Sequence, residues 1–127
     1  MPVLDANVIL RYLLRDVPDM AEQAREVILE GASTTTEVLT EVVYVLAGVY
    51  HANRGMIADA LESLLSEVQV PNRLSLQYAI RLYRATGLDF VDCVLAGYHH
   101  AENQEVMTFD KKLKKALQTD MIASEKG

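Results

Sequence analysis

The sequence predicts a single α/β domain spanning residues 1–127, in three layers, with a short-stranded parallel sheet flanked by helices. Three observations point to it. Short apolar runs of strand length alternate with longer stretches in which apolar residues recur at steps of three and four. The same phrase of apolar run, acid and helix occurs near both ends, as Pro2-Val3-Leu4-Asp5 and as Val106-Met107-Thr108-Phe109-Asp110. With 127 residues, half of them hydrophobic, the chain can bury one core and has little room for a second.

Val3 and Leu4 read as the end of a buried strand, and Val8, Ile9, Tyr12 and Leu13 as a short helix from Val8 to about Arg15. Asp16-Val17-Pro18-Asp19 breaks it. Pro18 suits the first position of a second helix, which carries Met20, Ala24, Val27 and Ile28 on one face and stops at Gly31. Ser33 to Thr36 reads as a short strand followed by a helix cap. Glu37 to about Tyr50 is a helix with more apolar surface than one core-facing stripe needs, so a second face is expected to meet another element or another chain.

His51 to Gly55 interrupts the pattern, and Ile57, Ala60, Leu61, Leu64, Leu65 and Val68 mark the next amphipathic helix. Val68-Gln69-Val70-Pro71 fits a strand closed by proline. Leu76, Ala79, Ile80 and Tyr83 mark a helix ending at Gly87, and Leu88 to Tyr98 opens another, whose Ala96 and Gly97 permit close packing on a sheet. Val106 to Phe109 is the next expected strand, Lys111 to about Leu117 the last full helix, and Met121-Ile122 a marginal edge strand. There is no internal repeat, linker or low-complexity segment.

Composition excludes several function classes. No run of 18 apolar residues occurs and the N-terminus lacks a basic region followed by an apolar one, so neither a membrane span nor a secretory signal is expected and the protein reads as cytoplasmic. Cys93 is the only cysteine, which leaves no internal disulfide and no cysteine-rich zinc site. A net charge of −6 opposes a simple nucleic-acid-binding module, but not an enzyme that holds cations in an acidic pocket and meets a polyanion locally.

Five acids have a claim to chemistry: Asp5, Glu41, Asp89, Asp92 and Asp110. Each also has a plain reading. Asp89 can cap a helix with Asp92 three residues on, Asp110 can cap the helix from Lys111, Asn7 can cap the first helix, and Glu41 can be solvated, one turn after Glu37. Together they say more, because right-handed crossovers bring strand-to-helix turns to one edge of a parallel sheet. Carboxylates clustered there repel one another, and the usual compensation is a hard divalent cation with oxygen ligands.

Asp5-Ala-Asn-Val-Ile-Leu-Arg-Tyr-Leu-Leu, Glu41-Val-Val-Tyr-Val-Leu, Asp89-Phe-Val-Asp92-Cys-Val-Leu-Ala-Gly-Tyr and Thr108-Phe-Asp110-Lys-Lys-Leu resemble, in order and over nearly the whole chain, the motif set of PIN-domain ribonucleases, specifically VapC-type toxins of toxin–antitoxin pairs. The resemblance implies that Asp5, Glu41, Asp92 and Asp110 are the metal-binding quartet, that Asp89 is an additional acid which ligates metal or only caps its helix, and that Asn7 and Thr108 are polar neighbours of the metal. Ala6 departs from the Thr or Ser of many relatives, removing a hydroxyl but no carboxylate. Glu41 is preferred to Glu37 on motif grounds alone.

The implied activity is hydrolysis of RNA phosphodiester bonds with one or two Mg2+ or Mn2+ ions, in which a metal-activated water attacks in line and leaves a 5′-phosphate and a 3′-hydroxyl. The implied partners are RNA, a cognate antitoxin and a second copy in a homodimer. Arg11, Arg15, Lys111, Lys112, Lys114 and Lys115 are candidate RNA contacts, although a lysine run is more often a solvated helix face and only its position just after Asp110 favours a functional reading. His99 and His100 diverge by about 100 degrees on a helix and cannot share one ion. His51 stands in a loop, and Cys93 reads as a small buried apolar residue.

Two rivals remain. A haloacid-dehalogenase-like phosphatase would use Asp5 as nucleophile, but it expects a second Asp where Asn7 stands. A non-catalytic receiver-like signalling module expects an acidic pair after the first strand and a lysine closing a later one, and has neither here.

Overall fold

The computed structural model describes residues 1–122, which divide into two compact units, one from Met1 to Pro71 and the other from Asn72 onward. Among the described residues the secondary structure is helical: α1 (Ala6–Leu14), α2 (Pro18–Glu30), α3 (Thr36–Gly48) and α4 (Arg54–Leu65) in the first unit, and α5 (Arg73–Ala85), α6 (Phe90–Glu102) and α7 (Lys111–Gln118) in the second. None of these helices among the described residues is long and apolar enough to cross a membrane.

The expected parallel sheet is not there. Three of the stretches read as strands do meet in the first unit, but only through single parallel bridges, Val3 with Ser33 and Ser33 with Gln69. Four backbone bonds hold them: Leu4 N–H to Ser33 O at 2.7 Å, Ser33 N–H to Pro2 O at 2.9 Å, Thr34 N–H to Gln69 O at 3.0 Å and Gln69 N–H to Ala32 O at 2.9 Å. Pairing stops because the next residues start helices. The Asp5 side chain accepts from Val8 N–H and the Thr35 side chain from Val38 N–H, so the backbone that would lengthen a strand is already turning into α1 and α3.

Val106 to Phe109 makes no backbone hydrogen bond to another described segment, and Met107 and Phe109 are exposed. Its apolar residues therefore did not signal a buried strand. Met121-Ile122 is a turn, with Ile122 N–H donating to Asp120 and the Ile122 side chain fully buried.

In the first unit α1 packs on α2 and α3, and α3 on α4, around Ile9, Leu39, Val42, Ile57, Leu61 and Leu64. Tyr12 donates from α1 to the Glu67 carboxylate beyond α4. Pro18 opens α2 as expected, and Gly31 ends it at φ +113°, a backbone angle that side chains other than glycine's rarely accept. On α3, Leu39, Val42, Val43 and Leu46 are buried while Tyr44, and Val49 and Tyr50 just past its end, stay exposed, so the surplus apolar surface is exposed on this chain.

In the second unit α5 and α6 form the most extensive helix pair, and the reason is Gly97. A Cβ there would lie 2.4 Å from the Ser75 carbonyl oxygen, and the buried Ser75 hydroxyl donates to the Gly97 carbonyl at 3.2 Å. The close packing expected of Gly97 on a sheet is thus made on a helix. His100 stacks on Tyr78 at 5.2 Å and its Nε2 meets the Ala116 carbonyl of α7 at 2.7 Å, while the Tyr78 hydroxyl donates to Asp120. These contacts tie the end of α7 to α5 and α6.

Candidate active site

In the second unit, three of the five acids come within electrostatic reach of one another. Asp89 occupies the N-cap position of α6, yet its side chain does not accept from the first turn, so the capping box expected of Asp89 and Asp92 does not form. Asp92, three residues on, is half-buried. Partial burial raises its pKa above the ordinary carboxylate value, and the negative charges of Asp89 and Asp110 raise it further. Asp110 caps α7 as expected, with Oδ1 accepting from Leu113 N–H at 2.8 Å and its own N–H donating to Thr108 Oγ1 at 3.0 Å. Its Oδ2 makes no hydrogen bond with the described residues.

Asp5 and Glu41 belong to the first unit. The buried Leu4, pinned on both sides of its peptide by Ser33 and by the Thr34 hydroxyl at 3.1 Å, holds Asp5 at the start of α1. There Oδ1 accepts from Val8 N–H at 2.9 Å. The cap of α1 is thus Asp5 and not Asn7, which lies inside the helix. Asp5, Asn7 and Arg11 line one side of a groove of about 530 Å³ whose other side is Met20, Gln23 and Val27 of α2. Glu41 is exposed on α3, as is Glu37, and neither lines that groove.

Arg11 is held within its own unit. Nη1 pairs with Asp16 at 2.9 Å and Nη2 donates to the Tyr50 hydroxyl at 3.3 Å. The Tyr50 bond is the first cause of its raised pKa, with the charge of Asp16 behind it. Lys111 is exposed at the start of α7, next to Asp110. The histidines are engaged elsewhere: His100 as described, and His99 through Nδ1 with the Gln104 carbonyl at 2.9 Å. Cys93 is fully buried. Sequence reasoning missed Tyr50 as the partner of Arg11, since nothing in a pattern links residues 39 positions apart. It also passed over Phe109, although that ring stands directly before Asp110.

The donors available for a cation are carboxylate oxygens, which suit a hard divalent ion. Among the described residues no three His, Cys, Asp or Glu side chains stand close enough together to hold one without adjustment. Asp92 is partly buried and lies near two further negative charges, Asp89 and Asp110, so the chemistry of the donor set fits a hard cation.

A family model described as the PIN domain matches residues 3–117, running through both units. The chain belongs to the PIN-domain family. PIN domains are generally nucleases, acting on nucleic acid, and those nucleases typically use divalent metals. Membership bears out the resemblance at the level of the PIN-domain family. Comparison with curated proteins and with solved structures gave no match.

Proposed function

We propose that this PIN-domain chain is a Mg2+- or Mn2+-dependent endoribonuclease of the VapC type, the toxin of a toxin–antitoxin pair. The observation that carries the reading is the trio of Asp89, Asp92 and Asp110, a half-buried carboxyl with two like charges near it, in a chain of a nuclease family. Asp5, Glu41, Asp92 and Asp110 serve as the metal-binding carboxylates, a set supported by their motif positions, and Asp89 adds charge at the start of α6. A divalent ion held by these carboxylates would supply an activated water and positive charge for the leaving oxygen.

The chain's own groups prepare that chemistry. Capping fixes one carboxylate oxygen of Asp5 and one of Asp110, so each remaining oxygen has a set direction. Thr108 orients the Asp110 backbone, and Asn7 offers an amide beside Asp5 in the groove. The exposed Tyr44 of α3, and Val49 and Tyr50 just past its end, are the surface proposed for the homodimer, and a basic or apolar antitoxin segment would suit the acidic charge of the chain.

The test is cleavage of a mixed RNA pool by the full chain in Mg2+ or Mn2+, with EDTA and Asp5→Asn as controls. Products that need the metal and vanish in both controls are expected. No cleavage at any metal concentration, with Asp5 instead phosphorylated by a small phosphodonor, would overturn the proposal.

A further inference from the structure

The chain has two phenylalanines, and they are treated in opposite ways. Phe90 is fully buried, edge-on to Tyr83 at 5.6 Å, whereas Phe109 is 84% exposed, the most open of the large hydrophobic residues described. A bare aromatic ring forgoes the burial that ordinarily holds such side chains inside. Phe109 is also not on a loose tip. The Asp110 N–H bond to Thr108 Oγ1 closes the chain around it, and Asp110 is anchored in turn as the cap of α7. The ring is presented outward from an ordered turn, one residue from Asp110.

Beyond that turn, Lys111, Lys112, Lys114 and Lys115 are all exposed, and none forms an ion pair with the described residues. Four exposed cations on an eight-residue helix form a basic face on a chain of net charge −6. A bare aromatic beside such a face is the pairing that single-stranded nucleic acids favour, with phosphates tracking the charge and a base stacking on the ring. A protein partner fits less well, because lysine is depleted in protein interfaces.

We propose that Phe109 is a stacking platform for one base of the single-stranded RNA substrate, with the α7 lysines holding the adjoining phosphates. The inference rests on the nuclease reading and adds to it the group that seats the strand beside Asp110. Because the acidic chain repels phosphates at long range, stacking supplies affinity that does not depend on net charge.

The experiment measures binding of a labelled single-stranded RNA oligonucleotide to the full-length Asp5→Asn protein across a salt series, by fluorescence anisotropy. Phe109→Ala is expected to weaken binding by about 5- to 150-fold without changing the slope of log affinity against log salt, and Phe109→Trp to retain it. Lys111→Ala and Lys112→Ala are expected to lower that slope by about 0.7 each. Since Phe109 touches little of the protein, the Tm of its variants should match that of the parent. Equal RNA affinity in Phe109→Ala would overturn the inference, and so would a change in oligomeric state by sedimentation with RNA affinity intact. The two readings fail differently: metal-dependent cleavage by the wild-type chain at a rate that Phe109→Ala does not alter removes the stacking role alone, whereas no cleavage and no RNA binding removes the nuclease reading with it.

Discussion

Replacing Gly97 by alanine tests the packing on which the position of α6, and with it Asp92, depends. A Cβ at this position would stand 2.4 Å from the Ser75 carbonyl oxygen and 3.1 Å from its carbon. Those atoms are backbone and cannot swing aside, so α5 and α6 must separate by several tenths of an ångström. Overpacking of this kind costs about 1–3 kcal/mol. Stretching the Ser75–Gly97 hydrogen bond, 3.2 Å and buried, removes part of a further ~1 kcal/mol. Against this, alanine is favoured over glycine inside a helix by about 1 kcal/mol. The net expectation is a loss of about 2 kcal/mol, which for 127 residues is a fall in Tm of about 7 °C. Urea unfolding of the full chain measures it, with Gly55→Ala as the contrast. Near Gly55 only the Asn53 Oδ1 atom lies within 4 Å, at 3.5 Å, so the same substitution should stabilise by about 0.4–1 kcal/mol. If Gly97→Ala proved as stable as the parent, the close approach of α5 to α6 would be refuted.

Two further outcomes follow from the same geometry. Asp110→Asn keeps a good cap for α7 and should leave unfolding within about 0.5 kcal/mol of the parent while abolishing RNA cleavage, whereas Asp110→Ala should lose cleavage and also about 1 kcal/mol; retained cleavage in Asp110→Asn would remove Asp110 from the metal-binding set. Burial, and then the bond to Asp120, raises the pKa of Tyr78 in the folded chain, so the folded state holds that proton more tightly than the unfolded one. Its contribution is complete below the unfolded tyrosine value of about 10 and is lost as pH rises from there through the raised folded value. Denaturant midpoints between pH 9 and 11.5 should therefore fall more steeply for the wild type than for Tyr78→Phe, and equal slopes would contradict it.

The helices were legible because their signals are local. The steps of Ile57, Leu61, Leu64 and Leu65 mark α4, Pro18 and Gly31 bracket α2, and Asp110 announces α7. The strands were not, because an apolar pair such as Val3-Leu4 records only that a segment is extended. Whether it becomes part of a sheet depends on how many residues a neighbour can pair with, and here the capping of α1 and α3 by Asp5 and Thr35 ends each pairing after one. Val106 to Phe109 misled for a related reason, since hydrophobicity does not distinguish a residue kept inside from one displayed outside.

The sequence by itself determined the helices, the cap at Asp110, the acidic balance and the ordered motifs that mark the PIN-domain family, all set by chemistry within a few residues or by order along the chain. Only the tertiary structure decided that Asp92 is half-buried near Asp89 and Asp110, that Arg11 is taken up by Asp16 and Tyr50, that Gly97 brings two backbones together, and that Phe109 stands bare before four exposed lysines that form no ion pair with the described residues. Each of these depends on which surfaces meet. Burial, repulsion and close approach are properties of pairs distant in sequence, and no local pattern encodes them.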